Sequence, residues 1–221
     1  MTALATRRVL LVALVAGVMA LVLLSNTLHA NLLDLIATAE RLATDHPVAS
    51  ALLVVLFAAA SAMLVFVSTA VIAPFLIYTW GPVGALLLLW GGWFLGGVCA
   101  YAIGRYLGRP VVNRLAAPAI LQHYERWVST RMPFGLVLLF QLALPSELPG
   151  YLLGLVRFSF PRYCLALGLA ELPYAAATVL LGAGVVERRL GLLIPVGAAV
   201  VLLSAVTLAA LHRRLAAEPV E

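Results

Sequence analysis

The chain has 221 residues, is 64% apolar and 10% charged, and carries a formal net charge of +5, with a mean hydropathy of +1.10. Soluble domains are about 45–50% apolar and about 25% charged, so a water-soluble globule is excluded; a disordered chain would need the opposite bias. The solvent is a bilayer.

All 14 basic residues are arginine. Beside apolar runs they report topology, and no basic stretch interleaved with aromatics calls for nucleic acid. Arg7 and Arg8 precede a charge-free run over 9–25, which as a helix reaches about 25 Å, a short span. Leu28-His29-Ala30 resembles a cleavage site. The run exceeds the usual signal-peptide core of about 7–15 residues, however, and reads as a retained helix. Over 31–45, Leu32, Leu35, Ile36, Ala39, Leu42 and Ala43 recur at helical spacing among Asp34, Glu40, Arg41 and Asp45. That pattern predicts an amphipathic helix at the interface. Residues 1–46 thus form an N-terminal unit.

From Pro47 to Gly104 there is no Asp, Glu, Lys, Arg or His. The stretch holds two full spans, or one re-entrant hairpin plus one span. Ser68-Thr69, Pro74 and Trp80-Gly81-Pro82 interrupt it. Arg105, Arg109, Arg114, Arg126 and Arg131 follow. Within 113–128, Leu115, Ile120, Leu121, Tyr124, Trp127 and Val128 share a stripe, predicting an interfacial helix with its aromatics at headgroup depth. Apolar 132–156 is broken by Pro145, Glu147, Pro149 and Gly150. After Arg157 and Arg162 come apolar runs 163–183 and 190–211, separated by Glu187-Arg188-Arg189 and closed by Arg213-Arg214.

Arginine placement chooses the topology. Six full spans with the N-terminus inside leave only Arg7, Arg8, Arg157, Arg162, Arg213 and Arg214 cytoplasmic. If 48–81 and 132–156 are hairpins that enter and leave on one side, Arg105, Arg109, Arg114, Arg126 and Arg131 join them. Only Arg41, Arg188 and Arg189 then lie outside. The expectation is therefore an all-α integral membrane protein with about four full transmembrane helices (9–25, 83–104, 163–183, 190–211) plus two opposed re-entrant hairpins, arranged like an inverted repeat. Both termini are cytoplasmic. The core is 47–189, and 190–221 adds a last helix and a short tail. Two kinked full-length helices are the alternative to the hairpins. Opposed broken helices meeting near the midplane are a transporter device.

Glu147 at the tip of the second hairpin and Glu171 in the following span are carboxylates in apolar surroundings, where an unpaired charge costs several kcal/mol. They read as a proton relay or cavity wall, or as structural partners of backbone freed by the prolines. Arg105, Arg109 and Arg157 suit an anionic headgroup, because guanidinium engages phosphate bidentately; positive-inside anchoring is the plain alternative. Gln141 is expected to line the hairpin interior. The histidines (His29, His46, His123, His212) are scattered, His-Glu-x-x-His and Gly-x-Ser-x-Gly are missing, and Ser146 has no base in reach of the pattern. No catalytic residue, metal or cofactor is expected, and Cys99 and Cys164 read as small core residues.

Gly92-Trp93-Phe94-Leu95-Gly96-Gly97 and Tyr101-Ala102-Ile103-Gly104-Arg105-Tyr106-Leu107-Gly108-Arg109 resemble a glycine-arginine block of the DedA superfamily, also called the VTT or SNARE-associated Golgi family. Pro145 to Gly154, then Leu155-Val156-Arg157-Phe158-Ser159-Phe160, is similar to that family's hairpin exit, and Pro173 and Gly182-Ala183-Gly184 continue the pattern. Gly104, Arg105, Gly108 and Arg109 match the first motif; Pro145 and Gly154 match the second, with Pro149 and Gly150 between them. The resemblance implies opposed re-entrant hairpins and lipid movement by a scramblase or a carrier of polyprenyl phosphate, in some members coupled to protons. Relatives carry an arginine just before the hairpin proline, where this chain has Leu139 and Gln141, and acids in the first hairpin, where it has none. The divergent Tvp-like branch matches better. The expected function is movement of phospholipid or polyprenyl-phosphate headgroups across a bacterial inner membrane, without enzymatic activity. The alternatives are a non-transporting scaffold or envelope-maintenance assembly factor, or an intramembrane enzyme.

Overall fold

The computed structural model describes residues 41, 43, 45–63, 69–108, 132–144, 147–187 and 189–217. Among them there is no strand. The α-helices are α1 (Pro47–Ser61), α2 (Ala73–Ile103), α3 (Phe134–Ala143), α4 (Glu147–Leu155), α5 (Phe160–Val186) and α6 (Leu190–Ala217). A 3-10 turn, Thr69–Ile72, leads into α2, and a π turn, Gly104–Gly108, extends it. The span expected to end at residue 104 therefore runs a further turn, and the last two helices are longer than the apolar runs 163–183 and 190–211. The expected span at 9–25, the interfacial helix at 113–128, and Arg109 and Pro145 lie outside the described residues.

The prolines and glycines explain the breaks. Pro47 and Pro74 sit in the first turns of α1 and α2, where a missing N–H costs nothing. Gly81 interrupts α2 at φ 69°, ψ 173°, with Pro82 after it. Only glycine adopts that backbone cheaply, so the long apolar run folds into two antiparallel pieces, 73–80 and 82–103. Trp93 Nε1 donates to Thr69 Oγ1 at 3.0 Å. Each lies the same distance along the chain from Gly81, as a hairpin hinged there requires.

Small residues set how closely the helices approach. A Cβ on Gly92 would lie 2.4 Å from Ala58 Cβ, and one on Gly96 would lie 2.4 Å from Ala59 O. Val55 and Ala58 thus face Gly92 while Ala59 and Ala62 face Gly96, and α1 runs parallel to the second part of α2. On the other side of α2, a Cβ on Gly154 would lie 2.1 Å from Tyr101 O and one on Gly104 would lie 2.2 Å from Tyr151 O. Backbones in van der Waals contact replace side-chain burial as the cohesive term where lipid is as apolar as the interior. Helix α5 returns antiparallel to α2, with Leu167 against Gly97 and Gly168 beside Trp90 and Phe94. Trp90 Nε1 donates to Gly168 O at 2.9 Å.

Three helical stretches among the described residues are long and apolar enough to cross a membrane: Ala73–Gly108, Phe160–Val186 and Leu193–Leu211. Helices α1 and α3 are apolar but shorter. Two cores flank α2. One gathers Tyr101, Val137, Leu153, Phe158, Tyr163, Ala166 and Leu167. The other gathers Val54, Ala73, Leu76, Ala85, Leu89 and Val179.

Candidate functional site

Two helical hairpins approach α2 from its two ends. The first, α1 with its return through Thr69 to Trp80, starts at the Gly81 end and turns at Ala62–Met63, level with Gly96. The second is α3 with α4, the one ending at Ala143 and the other beginning at Glu147. Gly150 of α4 then rests on Gly97 and Ala100, Gly154 on Tyr101 and Arg105, and Leu155 on Gly108. The tips meet where Gly96 and Gly97 stand side by side in α2. Tyr151 OH, one turn into α4, donates to Met63 O of the first tip at 3.3 Å.

Polar groups collect at this level. Tyr163 OH donates to Gly97 O at 2.7 Å. Tyr174 OH donates to Leu142 O at 2.7 Å, satisfying a carbonyl that the end of α3 leaves without an intrahelical donor. Thr207 of α6 reaches the same carbonyl at 3.5 Å while bonding its own helix at Leu203 O, 2.8 Å. Glu171 is buried at 6% exposure and Gln141 at 4%, and both flank the Tyr163 phenol. Neither Nε2 nor Oε1 of Gln141 completes a hydrogen bond.

One turn toward the far end of α2, Arg105 Nη1 donates to Tyr101 OH at 2.7 Å, and Tyr101 OH donates to Phe158 O. The Tyr101 ring stacks on Tyr163 with centroids 4.7 Å apart and tilts against Phe160 at 5.4 Å. Arg105 is thereby fastened through Tyr101 to the exit of the second hairpin. At that exit, Phe158 N donates to Leu153 O and Arg157 N to Gly154 O, at 2.9 and 3.1 Å. These are the paired bonds of a Schellman cap. Its left-handed position, where glycine is usual, holds exposed Arg157 at φ 54°.

The structure therefore joins Gln141 and Glu171 at the hairpin tips, and Arg105 and Arg157 at one end of the bundle. Arg105 does not reach the tips, because Tyr101 holds its guanidinium. Glu147 is the first residue of α4. Pro149 and Gly150 are buried in that helix's first turn, and Gly104 and Gly108 bound the π turn. Tyr151, Tyr163, Tyr174 and Thr207 did not stand out in the sequence, and Tyr101 entered as the first residue of the glycine-arginine block, with no role of its own. The available signal was a phenol or hydroxyl in an apolar helix, which must find an acceptor when buried. Among the described residues no three of His, Cys, Asp and Glu gather where they could hold a metal ion.

The VTT domain family model matches residues 44–184. The chain belongs to the DedA/VTT family. The match starts just ahead of α1 and ends in α5, so both hairpins of this VTT protein and the seam between them fall within it, while α6 lies beyond. No curated protein and no solved structure matches the chain. Family and apolar helices together make it a membrane protein.

Proposed function

We propose that this VTT protein moves lipid headgroups, of phospholipid or polyprenyl phosphate, across a bilayer along the seam between two re-entrant hairpins. The supporting observation is the meeting of the hairpin tips from opposite ends of α2, joined by Tyr151 and Met63. From Gly81 to Gly96 a helix rises about 22 Å, short of the roughly 30 Å of hydrocarbon. The second hairpin covers the remainder from the opposite face. Four full spans and cytoplasmic termini in a bacterial inner membrane complete the reading, which the grouping of Arg105, Arg157 and Arg162 away from Arg189 supports.

The chemistry follows from the seam. Non-helical backbone at membrane depth is tolerated only in protein or beside water, so the tips mark the polar part of the path. Arg105 and Arg157, with Arg109 close in sequence, attract an anionic headgroup at one face. Gln141 and Glu171 then offer hydrogen-bonding stations at mid-depth, and Glu147 begins α4 at the tip. Acyl or prenyl tails remain in lipid, so only the headgroup needs a route. A proton could accompany it through the two carboxylates. No covalent step is involved.

A second reading, a non-transporting scaffold, is favoured by the backbone carbonyls already satisfied at the tips, Gly97 O by Tyr163 and Leu142 O by Tyr174. The orphaned Gln141 amide weighs against it, since a purely structural seam gains nothing from such a group. The test is reconstitution in vesicles with fluorescent phospholipids and polyprenyl phosphate, comparing the native chain with Arg105→Ala and Glu147→Ala. Lipid movement that both substitutions slow supports transport. No movement above protein-free vesicles for any lipid refutes it.

A further inference from the structure

Among the described residues, Gln141 is a buried side chain at the seam neither of whose amide atoms completes a hydrogen bond. It stands in the last turn of α3 and is 4% exposed. Its amide lies beside the Tyr163 phenol, whose proton is already committed to Gly97 O. The neighbouring carbonyl, Leu142 O, is taken by Tyr174. Thus the Gly97 and Leu142 carbonyls are taken by tyrosines, while Nε2 and Oε1 of Gln141 complete no hydrogen bond. A buried polar group without a partner carries its full desolvation cost. Leucine or methionine would fill the same volume without it.

We infer that Gln141 reads the headgroup as it passes the hairpin tips, and that it selects phospholipids whose headgroup carries an N–H or O–H donor. This rests on the transport reading. An amide needs two complementary partners: Oε1 requires a donor and Nε2 requires an acceptor. Every phosphodiester supplies the acceptor. Only a headgroup such as ethanolamine or glycerol adds the donor; choline has the same phosphate and positive charge but no N–H. Discrimination of this kind is steep, because a site built to bond a hydrogen leaves its buried group unpaired when the ligand lacks one. The donor lost is an ammonium N–H, so the bond is charge-assisted, and its loss corresponds to roughly ten- to a hundredfold in rate. In the closed arrangement described here the amide is covered, so the headgroup meets it as the tips part. Among the described residues the long Tyr151–Met63 hydrogen bond ties those tips directly.

The experiment uses the full chain in vesicles doped with acyl-chain-labelled lipids of the ethanolamine, N-methyl, N,N-dimethyl and choline series. Charge is constant along the series and size grows evenly, while the last methyl removes the last N–H. The inference predicts that the first three lipids cross at similar rates and the choline lipid at least about tenfold more slowly. In Gln141→Leu the first three should fall to the choline rate. An even decline along the series, or equal rates for all four in the native chain, overturns the inference and leaves transport standing. A Gln141→Leu variant that slows all four equally also overturns it, since the amide would then serve the path alone. If no lipid moves above protein-free vesicles, the transport reading itself fails.

Discussion

Among the described glycines the closest approach is Gly154 on Tyr101, and substituting Gly154→Ala tests whether the second hairpin sits against α2 as described. The new Cβ would lie 2.1 Å from Tyr101 O, 2.9 Å from its carbonyl carbon and 3.0 Å from Arg105 N. All three obstacles are backbone, so no side-chain rotation relieves them, and α4 must move outward by about 1 Å in a close-packed interior. Overpacking of this kind costs about 1–3 kcal/mol, and rigid backbone on both sides places this case at the upper end. Alanine returns about 0.5–1 kcal/mol of helix propensity. The expected net loss is about 2 kcal/mol, together with loss of lipid movement, because the shift separates Tyr101 from Phe158 and releases Arg105 from its fixed position. Gly197→Ala is the matched control. Gly197 lies within α6 and nothing stands within 4 Å of its added Cβ, so that variant should gain about 0.5–1 kcal/mol. Thermal unfolding of both variants in detergent gives the comparison. Gly154→Ala unfolding at or above the temperature of Gly197→Ala would refute the packing argument.

Three further outcomes follow from the same geometry. Arg157→Gly removes a non-glycine residue from a left-handed cap position and should raise stability by about 1 kcal/mol, while lowering transport of anionic lipid through loss of an exposed cation; unfolding and vesicle assays check the two halves. Tyr101→Phe keeps the ring stack but leaves Phe158 O without a donor and Arg105 without its acceptor. It should cost about 1–3 kcal/mol, and half-saturation for anionic lipid should rise as the guanidinium loses its fixed position. Tyr151→Phe removes only the tip-to-tip hydrogen bond, so lipid movement should become faster with little change in unfolding temperature; a slower variant contradicts the view that this bond holds the seam closed.

Much of the architecture was legible in the sequence because its determinants are local. Trp80-Gly81-Pro82 announces a break, and the structure bends there. The interruption at Pro145 to Gly150 announces a second; α3 ends before it, and α4 begins within it, at Glu147. Arg105, Arg157 and Arg162 were grouped by counting charges, and packing brings the same residues to one end. The polar seam was less legible because it depends on pairings far apart in the chain. Tyr151 with Met63, Tyr163 with Gly97 and Tyr174 with Leu142 each join distant segments, and a tyrosine in an apolar helix does not disclose which carbonyl it will meet. Arg105 illustrates the same limit. As a lone cation after a span it reads as a headgroup anchor, and only the fold shows that Tyr101 holds it. Gln141 was expected to line the hairpin interior; that it would be buried with both amide atoms idle could not be read from a 3.6-residue period.

Side-specific labelling tests the opposed hairpins most directly. In a chain with Cys99 and Cys164 replaced by alanine, single cysteines at Arg114 and Arg157 are probed with an impermeant thiol reagent on sealed vesicles of known orientation. The second hairpin, if it enters and leaves on one face, makes both positions react from the same side, opposite to a cysteine at exposed Val83. Reaction of Arg114→Cys and Arg157→Cys from opposite sides would mean that 132–156 crosses the bilayer, and the seam between the tips could not serve as a route for headgroups.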